Sequence, residues 1–187
     1  MNLAEIHDQK VWHRIVVAVT AEYAALPATE RAWLLPRIEK VERLQARLHG
    51  FFEKADGARL CRACEGKCCA RGKHHLTLVN LLLALREGHR PPEPDFASTC
   101  PFLGPAGCLL DISCRPFNCL SFLCEQVEDR LEPADLAAFY SLERQLRACY
   151  EEFEGRYAGA GMSGLMLRAD RLGDESFLAP PLRTAPR

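Results

Sequence analysis

LLPRIEKVERLQARLHGFF, residues 34–52, decides the fold. Leu34, Ile38, Val41, Leu44, Leu48 and Phe51 recur at steps of three and four, with Phe52 beside them. That period lines one face of an α-helix with apolar groups, and the interleaved Arg and Glu residues form a solvated face. The spacing predicts a helix from about Thr29, whose hydroxyl suits an N-cap, to about Ala55. Pro36 either kinks it or marks its true first turn. Upstream, residues 4–25 carry the same pattern in Trp12, Ile15, Val16, Val19 and Tyr23. Downstream, Pro133 opens a third long helix to about Tyr157, with Leu136, Phe139, Tyr140, Leu146, Tyr150 and Phe153 inward. A short apolar helix at about 77–87 is bounded by Thr77 and Gly88.

Between these helices the signals change. Residues 56–75 read as irregular, with Gly57, Gly66 and Gly72. HRPPEPDF, 89–96, is too rich in proline for a helix or a central strand and reads as a linker. Residues 97–118 hold turn signals at Pro101, Gly104-Pro105, Gly107 and Pro116. GAGMSG, 159–164, breaks the chain, and no convincing alternating strand or internal repeat is present. The expected class is all-α. One helical bundle spans residues 1–172, with a loop-rich cysteine module at about 58–125 between the second and last long helices. A flexible tail is expected over 173–187.

Composition narrows the function. A chain of 187 residues, 48% hydrophobic, makes one domain with a real core. Its formal charge of −1 gives no global pull on DNA or RNA, so no nucleic-acid partner is expected. No apolar run approaches the roughly 18 residues of a membrane span, so no membrane association is expected either. MNLAEIHDQK at the start lacks the basic-then-apolar order of a secretory signal. The expected compartment is the cytoplasm, where stable disulfides are rare.

Cysteine is the unusual component: 10 residues, nine of them between Cys61 and Cys124, with Cys149 apart. Clustered thiols in a reducing compartment read as metal ligands or redox groups. The first block is Cys61-x2-Cys64-x3-Cys68-Cys69. One helical face could present Cys61, Cys64 and Cys68, and a turn at Gly66 could do the same. Cys69 points elsewhere in either arrangement. The second block is Cys100-Pro-Phe-Leu, Cys108, Cys114-Arg115-Pro116, Cys119 and Cys124. Pro101 and Pro116 restrict the backbone beside these sulfurs. Residues 59–73 hold five cations (Arg59, Arg62, Lys67, Arg71, Lys73) and one acid, Glu65. Nearby cations favour the thiolate, the form that binds metal. A solvated basic loop is the simpler alternative.

The spacing also excludes. A zinc ribbon needs two Cys-x2-Cys pairs, and one is present. A radical-SAM loop runs x3 then x2, the reverse of this order. The ferredoxin run Cys-x2-Cys-x2-Cys-x3-Cys-Pro is not matched. A thioredoxin reading of Cys61-Arg-Ala-Cys64 lacks its βα context.

Cys61-x2-Cys64-x3-Cys68-Cys69, then Cys100-Pro101-Phe102-Leu103, Cys108 and Arg115-Pro116-x2-Cys119, resemble the YkgJ-type cysteine cluster family, bacterial proteins described as zinc- or iron-chelating. The resemblance covers about residues 58–125 and rests on the order of the pieces. It implies a ligand cluster of Cys61, Cys64, Cys68, Cys69, Cys100, Cys108 and Cys119. Three departures stand out. Leu109-Leu110-Asp111 replaces the family's Ile-Tyr pair, Cys114 directly precedes Arg-Pro with one extra residue in the spacing, and Cys124 is additional. Cys114 and Cys124 therefore join the candidate ligands. The cluster also resembles that of flagellin lysine methylases, which implies an enzyme as the alternative.

Thiolates suit zinc, Fe–S clusters and Cu(I). Seven to nine cysteines exceed the four of one tetrahedral zinc, so two centres or a polynuclear cluster are both open. The expected function is chelation of zinc or iron, the iron alone or in an Fe–S cluster. An enzyme with a cysteine-ligated centre and a thiol redox sensor are the alternatives. Metal is expected to organise residues 58–125, whose loops look too poor in apolar groups to order themselves. His74 and His75 read as surface residues or further ligands. Phe102 and Phe117 are expected to pack around the site. Arg115 can donate to a sulfur or a carbonyl, or pair at the surface. Cys149 reads as a small buried hydrophobe.

Overall fold

The computed structural model describes residues 2–63, 74–105 and 107–179. It is mostly helical, as expected. The described residues form α1 (Leu3–Ala24), α2 (Ala28–Lys54), α3 (Gly57–Ala63), α4 (Leu78–Arg86), α5 (Phe117–Ser121), α6 (Glu125–Glu128), α7 (Pro133–Arg156) and α8 (Leu165–Leu172). A two-residue hairpin, β1 (Leu103–Gly104) with β2 (Gly107–Cys108), interrupts them.

The bundle is built on α2 and α7, which lie antiparallel. Phe51 near the end of α2 meets Phe139 near the start of α7, and Trp33 meets Phe153 and Tyr157 at the other end. Leu34, Ile38, Val41, Leu44 and Leu48 are buried along α2, facing Phe139, Leu142, Leu146 and Phe153. Each such side chain contributes about 1.5–3 kcal/mol when fully buried. Tyr140 is 42% exposed, against expectation, because it stands one position off the Phe139 stripe, and its hydroxyl donates to Glu128. Pro36 lies inside α2, well past its first turn. The helix begins after Pro27 rather than at Thr29. Arg31 reaches back to the carbonyls of Tyr23, Ala24 and Leu26 and ties α2 to the end of α1.

α4 is the central element. Leu78 to Ala84 are all buried, and Gly88, at φ 71°, ends the helix in a conformation that glycine adopts freely. α1 packs on α4 and α8. Glu30 at the start of α2 accepts from Arg156 (Nε, 2.9 Å) and from the Tyr157 hydroxyl, which fastens that end of α7.

Two regions depart from the sequence reading. Residues 57–63, expected to be irregular, are helical, with Leu60 buried against Ala55, Val127 and Leu131. The chain from Gly173, expected to fray, is held as far as Leu178. Phe177 and Leu178 are buried, and Glu22 accepts from Ser176 Oγ and from the Phe177 and Leu178 N–H groups. Their anchor is Arg168, itself buried, which donates to the carbonyls of Ala158 and Phe177. Burial brings its guanidinium down to about 10. Residues 180–187 of the expected tail lie outside the described residues.

Candidate metal centre

The cysteine module is more firmly seated than its composition suggests. Phe96, Phe102, Leu110, Phe117, Leu120 and Val127 are all buried. Phe102 stands edge-on to Trp12, and Phe117 edge-on to Tyr150 beneath the Arg147 guanidinium. These two rings therefore pack into the main core. The loops between them have apolar anchors spaced too irregularly to show as a period.

A polar clamp adds to the anchors. Gln45 of α2, Asn80 of α4 and Tyr150 of α7 are fully buried together. Gln45 Nε2 and Asn80 Nδ2 both donate to the main-chain carbonyl of Arg115, at 2.8 and 2.9 Å. Asn80 Nδ2 also donates to the Tyr150 hydroxyl at 3.1 Å, and its Oδ1 accepts from the Thr77 N–H and hydroxyl at 3.0 and 2.8 Å. Arg115 lies between Cys114 and Cys119, so amides from two helices fix the backbone between the two sulfurs, with Tyr150 of α7 accepting from Asn80. Burial pushes the Tyr150 phenol well above its ordinary range. The Arg115 side chain donates to the Leu110 carbonyl at 3.2 Å, one of the roles its sequence position allowed.

The candidate ligands fall into neighbourhoods. Cys100 and Cys108 flank one hairpin, whose register pairs Leu103 with Cys108 while the Leu103 N–H donates to the Cys100 carbonyl. Burial pushes the Cys100 thiol up, and the proximity of Cys108 adds to the rise. Cys108 is exposed and Cys100 half-buried. Cys61 on α3 and Cys124 at the start of α6 sit on elements that pack together, through Leu60 and Val127. Cys119, exposed on α5, has its Sγ 3.7 Å from His75 Nδ1. Burial, with His74 alongside, lowers His75 and favours the neutral imidazole. Cys114 is buried, 3.8 Å from Ser113 Oγ, and burial raises its thiol. Cys149 is buried in α7, with its thiol raised chiefly by burial.

Cys64, Cys68 and Cys69, with Lys67, Arg71 and Lys73 of the basic run, lie outside the described residues. Of the rest of that run, Arg59 is paired with Asp56. Among the described residues, no three His, Cys, Asp or Glu side chains gather closely enough to hold one ion. They supply donor pairs. Thiol and imidazole are the donors a borderline-soft ion prefers, so the chemistry of the pairs fits zinc or iron.

The segment after the first block is held from the far side. The Leu165 N–H donates to the Leu76 carbonyl at 2.6 Å. A side chain at Gly164 would overlap the His74 carbonyl, so glycine permits this close approach. The glycine loop before α8 is already occupied. Glu154 accepts from the Gly159 and Gly161 N–H groups, each at 2.8 Å. A cleft of about 360 Å³ between α2 and α7, lined by Arg47, Phe51, Ala138, Ser141, Leu142 and Gln145, carries no cysteine or histidine. No described helix is long and apolar enough to cross a membrane.

Sequence reasoning weighed His75 without a partner and did not find the clamp. Gln45 and Asn80 lie on faces that otherwise read as apolar, and a buried amide in such a stripe is the signal that was available. Searches of family models, curated proteins and solved structures found no match to this chain.

Proposed function

We propose that this chain is a metal-binding protein that chelates zinc or iron, the iron alone or as an Fe–S cluster, through cysteine thiolates of its 58–125 module. The observation that carries the reading is the juxtaposition of Cys100 and Cys108 on a hairpin tied to the core through Phe102. Two thiols carried by one short hairpin can supply half of a tetrahedral site. The order of the cysteines resembles that of the YkgJ-type family and supports the reading, which goes with a reducing cytoplasm, where thiols stay available to metal. The partner is the ion itself.

The other classes find less support. A sensor needs accessible thiols; Cys108 and Cys119 are exposed, but Cys114 is buried. A methylase-like enzyme needs a cofactor cradle, whereas Glu154 occupies the N–H groups of the glycine loop.

The test is anaerobic purification of the untagged chain, with a visible spectrum, metal analysis and acid-labile sulfide. Stoichiometric zinc in a colourless protein, or iron in a coloured one, is the expected result. A metal-free chain with intramolecular disulfides would overturn the reading in favour of the sensor.

A further inference from the structure

The geometry points to His75 as a metal ligand sharing one tetrahedral ion with Cys119, an inference that rests on the chelator reading. The sulfur and Nδ1 are 3.7 Å apart. A tetrahedral ion with a metal–sulfur bond of about 2.3 Å and a metal–nitrogen bond of about 2.0–2.1 Å separates the two donors by about 3.6 Å. The pair therefore stands at the spacing one ion requires, across 44 positions of sequence.

Both donors are positioned from behind. His75 lies in a segment whose neighbours are fixed on either side, by the close approach of the His74 carbonyl to Gly164 and by the bond from the Leu165 N–H to the Leu76 carbonyl. Cys119 rides on α5. Phe117 and Leu120 of that helix are buried, and the Arg115 carbonyl before it is clamped by Gln45 and Asn80. A pair held by two different parts of the core loses little freedom on binding. One nitrogen beside one sulfur suits a mononuclear zinc-type ion.

The experiment uses the full chain loaded with zinc and, separately, with Co(II) as a spectroscopic substitute. The expected Co(II) spectrum has tetrahedral d–d bands that shift in His75→Ala. Zinc affinity should fall in that variant by more than the roughly 10–100-fold that loss of a merely supporting hydrogen bond costs. His74→Ala should leave both unchanged. X-ray absorption of the wild-type zinc protein needs no variant and should show imidazole scattering beside sulfur. An unchanged cobalt spectrum with a loss below about 100-fold overturns the assignment, as does wild-type absorption without an imidazole signature. A wild-type chain that takes up neither zinc nor cobalt also overturns it. Iron and acid-labile sulfide in that same sample then decide whether the chelator reading falls too.

Discussion

The long-helix frame and the cysteine segment after Phe96 both bury aromatic and aliphatic side chains, but they reach order differently. In α2 and α7 the buried residues recur every three or four positions, so each turn supports the next. In residues 96–127 the anchors are scattered, and the chain between them is fixed at one carbonyl, that of Arg115, by two buried amides. The frame draws its stability from many redundant contacts. The segment relies on scattered anchors and on the buried amides at Arg115. Damage to the frame should therefore be global, and damage to the clamp local.

The largest effect should come from the frame. Leu146→Ala removes a fully buried side chain facing α2 and should cost about 2–5 kcal/mol. The denaturation midpoint should fall with an unchanged slope, while metal content of the folded fraction stays as in wild type. A local loss confined to residues 96–127 would break the comparison.

Next comes the clamp. Asn80→Ala removes one donor from the Arg115 carbonyl, one from the Tyr150 hydroxyl, and the acceptor for Thr77. Each buried group left unpaired costs about 1–3 kcal/mol. Hydrogen exchange should quicken around Cys114 to Leu120 and in the first turn of α4 before it changes in α1. Uniform quickening across all helices would sink the idea of a local fixture.

The Glu30 pair sharpens the contrast, because it serves the frame with charge. The hydrogen bond from Arg156 holds the Glu30 carboxyl below its usual range; burial opposes this, and Tyr157 and the Arg156 charge assist. A depressed carboxylate stabilises the fold above its unfolded value, and that contribution is lost as pH falls through the lower folded value. Glu30→Gln should cost about 1–2 kcal/mol at neutral pH, since hydrogen bonds to charge are strong but Arg156 is partly exposed. As pH falls from the unfolded carboxylate range toward the lower folded value, the gap between wild type and variant should narrow. A gap that does not change with pH through the acid range would show that the charge is not responsible.

The smallest effect should be Tyr140→Phe. It removes an exposed bond to Glu128 and should shift stability by no more than about 0.5 kcal/mol. A larger loss would mean that the surface between α6 and α7 contributes to the frame.

These contrasts explain what could be read in advance. Periodicity gave three long helices to within a few residues, because their stripes repeat over many turns. It missed α8, which is eight residues long and buries an arginine among its apolar positions. It missed α3, in a stretch whose glycines, Gly57 among them, read as irregular. It saw the turn residues Gly104-Pro105 and Gly107 without the hairpin that brings Cys100 toward Cys108. Meetings such as Cys119 with His75, or Gln45 with the Arg115 carbonyl, depend on the packing of distant elements. No local pattern encodes them.

Arg168 carries one consequence further. Its guanidinium sits inside the protein with two of its nitrogens on carbonyls of Ala158 and Phe177, and the third, Nη1, is buried without a partner among the described residues. The hook at 176–178 thus takes the place of a hydration shell for an interior cation. Trimming the chain before Phe177 would hand that ion back to water. The solvent would then enter behind α8.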